Sequence, residues 1–413
     1  MCVIGLKSLE RKLQQNKLFY LKWELKLYTI KVFDSISDSG LSKFKSNFKI
    51  SDEDPDAILV RSSKIDLPDQ SNIKCIGRAG AGVNNIPVKE CTERGIVVFN
   101  TPGANSNAVK EATICSLFLA SRNLVSASSF LDSLSVDNDE ELNSIVEKSK
   151  KEFKGVEIKG KNLGVIGLGE IGMKVANYAS AMRMNVEGFD PFISVGHAWA
   201  LSRNVKPASD LSKMVFNSDY VTIHVPLMES TKNYVDASLL SNFKPGSVLI
   251  NFSRGGVVDE DAVVDSLDRG RLGRYVTDFP SLRLIEHEKV LCFPHIGAST
   301  KESEENCAAS VASEVIDYLE NGNIVNSVNF PECRMERSTD CRLTVINKNI
   351  PNMVSQIASE LHSLNISGMT NKSKDDIAYN IVDVDAKGSQ PFGPKLINSL
   401  IDIEGVLMVR VLK

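Results

Sequence analysis

Two residues of this chain end apolar runs, and their types could hold an anion and move a proton. Arg254 follows Val248-Leu249-Ile250-Asn251-Phe252-Ser253 and precedes Gly255-Gly256. His295 follows Val290-Leu291-Cys292-Phe293-Pro294 and precedes Ile296-Gly297-Ala298-Ser299. A guanidinium holds and polarises a carboxylate, and an imidazole titrates in the range that reversible proton transfer requires. Oxidising a 2-hydroxy acid needs both, together with an acceptor for the hydride. Taken singly, a histidine or arginine is more often structural. Here both stand at the carboxyl ends of expected strands, where open parallel sheets bind ligands.

A hydride acceptor is provided for upstream. Leu163-Gly164-Val165-Ile166 feeds Gly167-Leu168-Gly169-Glu170-Ile171-Gly172, and a helix from Met173 to Met182 leaves it. Gly167 suits a tight turn, Gly169 a close approach of backbone to a pyrophosphate, and Gly172 close packing of helix on strand. The helix start, at Glu170 and Ile171, offers unpaired N–H groups and a partial positive charge to phosphates. The next strand, Asn185-Val186-Glu187-Gly188-Phe189, ends at Asp190. A carboxylate there bonds ribose hydroxyls and repels the extra phosphate of NADP, so NAD is the expected cofactor.

These groups must be positioned by sheets. Strands are expected at Tyr28–Phe33, Asp56–Val60, Ile73–Ile76 and Ile96–Phe99, with a long helix from about Asn107 to Asn123. A second strand–helix series runs from Leu163 to about Pro294, and a helix follows from about Lys301 to Glu320. Strands alternating with helices imply parallel, doubly wound sheets. The tail from Arg342 reads strand, helix, strand, strand, helix, strand, the order of a small ferredoxin-like domain. The fold class is therefore α/β, with two doubly wound Rossmann-like domains and a small C-terminal ferredoxin-like α+β domain. The expected divisions are an extension over 1–26, a substrate-binding domain over 27–125 completed by 300–330, and a nucleotide-binding domain over 126–299. A linker over 331–341 and a last domain over 342–413 follow. The polar, Glu- and Lys-dense segment from Asp132 to Lys159 is expected as an exposed helix joining domains.

Composition narrows the class of function. The 413 residues carry a net charge of −4 without a long basic run, which gives no electrostatic case for nucleic acid. No stretch approaches the roughly 20 apolar residues of a membrane helix. Eight cysteines are scattered without a C-x-x-C pair, several inside apolar runs. Reduced core thiols in a reducing, cytoplasmic setting are expected, rather than disulfides or a metal site. The first 26 residues mix Lys and Arg with apolar residues and are poor in Ser. They read as an appended helix or a disordered extension in preference to a transit peptide.

The array Gly167-Leu168-Gly169-Glu170-Ile171-Gly172, Asp190, His224-Val225-Pro226, Ser253-Arg254-Gly255-Gly256-Val257-Val258-Asp259-Glu260 and Pro294-His295-Ile296-Gly297-Ala298-Ser299-Thr300 resembles the D-isomer-specific 2-hydroxyacid dehydrogenases. The likeness runs from about Tyr28 to Phe330. It implies that Arg254 binds and polarises the substrate and that His295 is the acid–base. It also implies cofactor contacts from His224, Val225, Pro226, Ser253, Asp278 and Gly297, with Asp278 on the nicotinamide amide. One departure stands out. The family's glutamate shortly after that aspartate, which stabilises the imidazolium, is missing from Thr277-Asp278-Phe279-Pro280-Ser281-Leu282-Arg283. Glu286 and Glu288 are the substitutes considered. Without such a partner, the oxidative direction is expected to keep its base at lower pH.

Two further stretches are similar to the phosphoglycerate dehydrogenases of that family. Val60-Arg61-Ser62-Ser63 and Gly77-Arg78-Ala79-Gly80-Ala81-Gly82 each put an arginine at a strand end. By that likeness Arg61 and Arg78 lie near a substrate phosphate, and the amides of Gly80, Ala81 and Gly82 near its carboxylate, with Asn105 also in the substrate site. Two arginines and a run of N–H groups suit a doubly anionic molecule better than lactate. The tail resembles the ACT domain that binds serine, with Asn349 and Asn365 matching the serine-holding amides and Asn347 standing where a histidine is common. The implied activity is NAD-dependent oxidation of 3-phospho-D-glycerate to 3-phosphohydroxypyruvate, the first step of serine synthesis, by a homodimer or homotetramer. Glyoxylate, hydroxypyruvate or another 2-keto acid as substrate stays open, as does a non-catalytic NAD-sensing scaffold like the corepressors that share the fold.

Overall fold

The structure is a computed structural model and describes residues 27–69, 71–385 and 392–412. The expectations for residues 1–26 lie outside that range. The chain forms two compact units: residues up to Asn105 together with those from Glu304 on, and Ser106–Ser303.

The first unit is built on a parallel sheet of β1 (Tyr28–Val32), β2 (Phe48–Ile50), β3 (Ala57–Val60), β4 (Cys75–Arg78) and β5 (Val97–Phe99), in the order β2-β1-β3-β4-β5. β3 and β5 are apolar and buried throughout, as strands covered on both faces must be. β2 was not anticipated: it has three residues, sits at the edge and is mostly exposed, so it lacks an alternating pattern. The strand order reverses between β1 and β3, which sets the chain leaving β1 beside the chain leaving β3. The helix Lys301–Asn321 covers this sheet. A Cβ at Gly77 would lie 2.5 Å from a Val311 methyl and 2.9 Å from a Val315 methyl, so glycine lets the helix approach β4.

The same unit holds an antiparallel sheet of β13 (Cys341–Lys348), β14 (Asn365–Lys374), β15 (Ile377–Asp385) and β16 (Val406–Leu412), ordered β14-β15-β13-β16, with helices Met353–Glu360 and Pro394–Asp402. This is the element order read from the tail. Side chains alternate between its faces. Leu343, Val345, Val382 and Val384 pack with Ile357, Ile397 and Leu400 from the two helices and with Leu361 just past the first. Ile346, Ile377, Tyr379 and Ile381 share a core with Tyr28, Phe99, Tyr318 and Phe330. The segment 331–341, expected as a linker, joins that packing: Cys333 is buried and bridges Ile324. Its buried residues are single and spaced by polar ones, which is why it reads as a tether.

The second unit carries seven strands: β6 (Asn162–Ile166), β7 (Asn185–Phe189), β8 (Lys206–Pro207), β9 (Tyr220–Ile223), β10 (Ser247–Asn251), β11 (Leu272–Thr277) and β12 (Val290–Cys292). They are parallel, in the order β12-β11-β10-β9-β6-β7-β8, so the reversal lies between β6 and β9. The helix Ser106–Arg122 belongs here, although it was expected with residues 27–125. Its Val109 and Leu117 share a core with Val165, Val175 and Ile250. Helices Leu124–Asp132 and Asp139–Ser149 bury no residue; the second is polar, whereas the first leaves Leu124, Val125 and Leu131 exposed.

Among the described residues no single helix is long and apolar enough to cross a membrane. The described cysteines are free thiols, and burial pushes Cys75 up to about 12 and Cys91 and Cys333 up to about 11. Those thiols stay protonated and behave as small core residues.

Candidate active site

In the second unit, the chain leaving β6 meets the chain leaving β9 at the point of strand reversal. Gly167 has φ +86°, and a Cβ there would stand 2.9 Å from the His224 carbonyl and from a Val225 methyl. A Cβ at Gly172 would overlap the Gly167 carbonyl oxygen, whereas one at Gly169 would meet nothing within 4 Å. The open side of Gly169 is the side a pyrophosphate needs. The helix Glu170–Ala181 starts there with no side chain capping it, which leaves its first N–H groups for a ligand. Glu170 itself turns away, to His197 Nε2 at 3.1 Å and Lys174 at 3.4 Å. The hydrogen bond from His197, and then Lys174, hold its carboxyl below the usual range. Ile171 lies half-buried in that first turn.

Asp190, just past β7, accepts the N–H of Leu168 at 2.8 Å and that of Phe192 at 2.9 Å. The acid chosen for the ribose is thus tied to the glycine turn. His224 has Nε2 3.0 Å from the Thr222 hydroxyl, while its Nδ1 is buried without a partner. Burial lowers its pKa to about 3, so the ring is neutral at working pH. Pro226 follows, its carbonyl accepting the Thr231 hydroxyl at 2.6 Å.

The arginine turn is locked by a residue that the sequence reading missed. Buried Asn251 accepts the N–H and hydroxyl of Ser253 at 3.0 and 2.8 Å, and donates to the Arg254 carbonyl at 2.9 Å. An amide ending an otherwise apolar strand was the available signal. Arg254 donates to the Ser253 carbonyl at 2.7 Å and is half-buried.

His295 lies in the left-handed region at φ +48°, which is uncommon for a residue with a Cβ. Its N–H reaches the carbonyls of Asp278 and Phe293, each at 3.0 Å. The Asp278 carboxylate accepts the N–H of Gly297 at 2.8 Å through one oxygen, and its other oxygen is buried and unpartnered. Burial raises the Asp278 pKa, opposed by the Gly297 N–H and by the charges of His295 and Arg254. The Phe279 ring lies 4.9 Å from the imidazole, centroid to centroid, and its Cγ 3.5 Å from where a Cβ at Gly255 would stand. Arg254, Asp278, His295 and Gly297 are therefore brought together around Phe279. Glu286 and Glu288 are exposed, and among the described residues no hydrogen bond or ion pair joins either to the imidazole, so neither stands in for the missing glutamate. An aromatic ring takes the flank of His295 instead.

In the first unit, Arg61 and Arg78 end β3 and β4. Arg78 Nε donates to the Arg61 carbonyl at 3.1 Å, and a Cβ at Gly80 would overlap the Arg78 guanidinium. The Gly80 carbonyl accepts the Thr101 N–H at 3.1 Å and that of Ala81 the Asn100 side chain at 2.6 Å, which fixes the loop through Gly82. Asn105 is the last residue before the unit boundary. Two missed residues surround Arg61: Asp34, which binds its backbone, and Glu304, which binds its guanidinium.

The three asparagines of the tail part company. Asn347 is buried, donates to the Lys348 carbonyl at 2.7 Å and accepts from Asn380 at 2.7 Å. Its amide is bonded on both sides inside the sheet. Asn349 donates to the Asp375 carbonyl at 3.0 Å. Asn347 and Asn349 line one cavity of about 470 Å³ with Met353 and Asn371, and Asn365 is not part of that lining.

Residues 119–297 match a family described as D-isomer specific 2-hydroxyacid dehydrogenase, NAD binding domain. The chain is 33% identical over 346 residues to a D-3-phosphoglycerate dehydrogenase of Haemophilus influenzae, covering 80% of this chain and 79% of that one. It is 33% identical over 322 residues to one from Methanocaldococcus jannaschii, covering 75% of this chain and 58% of that protein. The chain thus spans little more than half the length of several curated relatives. Among solved structures, the NAD+-bound 3-phosphoglycerate dehydrogenase of Entamoeba histolytica is 26% identical with a TM-score of 0.58, covering 73% of this chain and 98% of that one. D-mandelate dehydrogenase of Rhodotorula graminis shares the fold, with a TM-score of 0.63 over 75% of this chain and 99% of that one, at 20% identity. With the glycine turn, the tied Asp190 and the Arg254–Asp278–His295 cluster all in place, the chain belongs to the D-isomer-specific 2-hydroxyacid dehydrogenases.

Proposed function

We propose that this protein oxidises 3-phospho-D-glycerate to 3-phosphohydroxypyruvate with NAD, the reaction that opens serine synthesis. The observation that carries the reading is the gathering of Arg254, Asp278 and His295 in the nucleotide-binding unit. NAD fits the residues present: Gly167, Gly169 and Gly172 leave room, the helix at Glu170 is uncapped, and Asp278 keeps a buried oxygen unpartnered. That oxygen would accept from the nicotinamide amide, Asp190 would bond the ribose, and the bound cofactor supplies the hydride acceptor. Arg254 holds the substrate carboxylate and draws charge from C2, and His295 takes the hydroxyl proton. His295 keeps its position through backbone bonds and the Phe279 ring rather than through a carboxylate. Arg61 and Arg78 hold the phosphate.

The relatives named as D-3-phosphoglycerate dehydrogenases support this substrate. The imidazole without a carboxylate favours the second reading, a non-catalytic NAD-sensing scaffold. Following NADH absorbance with 3-phosphoglycerate decides between them: turnover removes the scaffold, and NADH binding without turnover on any 2-hydroxy acid removes the enzyme. Replacing Arg61 and Arg78 together by alanine should lower kcat/KM for 3-phosphoglycerate about 100-fold or more, the loss of two charge-assisted contacts. An unphosphorylated hydroxyacid should lose far less. Equal losses on both would point to glyoxylate, hydroxypyruvate or a similar substrate.

A further inference from the structure

Arg61 is held in two ways, one by its backbone and one by its side chain. Asp34, just past β1 with φ +64°, accepts through a single carboxylate oxygen the N–H groups of Arg61, Ser62 and Ser63 at 3.0, 2.8 and 3.0 Å. Its other oxygen accepts the Ser63 hydroxyl. Burial would raise this carboxyl, but the bonds from Ser63, Ser62 and Arg61 outweigh it and keep it well below the usual range. Converging N–H groups at a strand end commonly form an anion site. Here Asp34 fills it, so an incoming anion meets the Arg61 guanidinium rather than these N–H groups.

The guanidinium also has an internal partner. Glu304 Oε1 lies 2.7 Å from an Arg61 terminal nitrogen, and their side chains are 43% and 35% exposed. Glu304 stands in the first turn of Lys301–Asn321, where a carboxylate is favoured by the helix dipole. That helix is seated on the sheet through Val311 and Val315 against Gly77, so the carboxylate sits on a fixed support. A wet, single-contact ion pair opens easily. A phosphate offers a guanidinium more and stronger acceptors than one carboxylate oxygen does.

We propose that Glu304 competes with the substrate phosphate for Arg61 and so sets the affinity for phosphorylated over unphosphorylated hydroxyacids. The proposal rests on the reading of Arg61 as a phosphate ligand. Glu304 keeps the guanidinium ordered between turnovers, and its charge must be displaced or tolerated when phosphate arrives. Asp34 acts the other way: it aims the loop and favours phosphate.

The test is the ratio of KM for 3-phosphoglycerate to KM for glycerate in the full chain. Glu304→Gln, and Glu304→Ala as a second variant, should lower that ratio about threefold, the size expected for removing a partly exposed charge partner, and more at low ionic strength. Asp34→Asn should raise it. A mere loss of stability would not move the variants in opposite directions. If Arg61→Ala leaves the ratio where it was, the phosphate reading of Arg61 fails. If Arg61→Ala raises it while both Glu304 variants leave it unchanged or raise it, the competition is overturned and the phosphate reading stands.

Discussion

Asp278 is the residue whose unmet bonding capacity says most about the site. One carboxylate oxygen serves the Gly297 N–H, and the other is buried with nothing to accept. Leaving such an atom bare costs free energy, so a donor from a bound molecule is the natural complement. Asp278→Asn can keep the Gly297 bond but presents an N–H where an acceptor is needed. NADH affinity, read by fluorescence titration, should fall about tenfold or more, and unchanged affinity would mean that this oxygen does not face the cofactor. Positions of this kind were legible in the sequence because the signal is local: Gly167, Asp190, Arg254 and His295 each follow a strand that announces itself. Asp34 and Glu304 were not, since their partners lie 27 and 243 positions away and only the sheet order brings them together. Asn251 could have been found, as the polar residue that follows the apolar run Val248-Leu249-Ile250.

The helix Lys301–Asn321 shows how an element carries constraints that no single residue displays. Its last carbonyls are engaged: Tyr318 by Arg410, Leu319 by the Tyr28 hydroxyl and Arg410, Glu320 by Arg337 and Asn321 by Arg342, and the Gly322 carbonyl just beyond takes the Tyr379 hydroxyl. Three cations at a helix C-terminus complement its dipole. Midway along the helix, Glu314 is 9% exposed, takes an Asn326 amide bond at 2.7 Å, and has one buried oxygen without a partner. Burial raises its pKa to about 7. The folded protein therefore holds this proton more tightly than the unfolded chain, and stability should decline as pH rises from about 4.5 to about 7. Glu314→Gln should remove that decline and raise Tm at pH 8 by the equivalent of roughly 1–3 kcal/mol, with little change at pH 5. Equal shifts at both values would assign the effect to packing. Elements of this length were legible from periodicity and caps, and the observed helix ends within a residue of the expected position. The edge strand β2 was not, because three exposed residues carry no pattern to read.

At the scale of the molecule, the C-terminal sheet is not an appendage to the first unit but part of one of its cores. Ile346, Ile377, Tyr379 and Ile381 meet Tyr318, Phe330 and Cys333, and each large apolar side chain so buried contributes about 1.5–3 kcal/mol. Beside them Arg342 and Asp383 form a fully buried two-contact ion pair at 2.6 and 2.9 Å, and Arg342 also donates to the carbonyls of Asn321 and Met335. The sequence showed the strand and helix order of this tail but not its attachment, which depends on which face of each strand meets the helix. A shared core predicts shared melting. Calorimetry should find the antiparallel sheet unfolding with the first unit in a single transition, because neither part keeps its buried surface alone. Arg342→Met strands a buried carboxylate and should weaken that transition by about 3–5 kcal/mol, whereas Arg342→Met with Asp383→Leu should recover much of the loss. The transition of Ser106–Ser303, which contributes no residue to that core, should stay where it is. Separate melting of the C-terminal sheet, or a double variant as weak as the single one, would show that the pair and the shared core do not couple these elements.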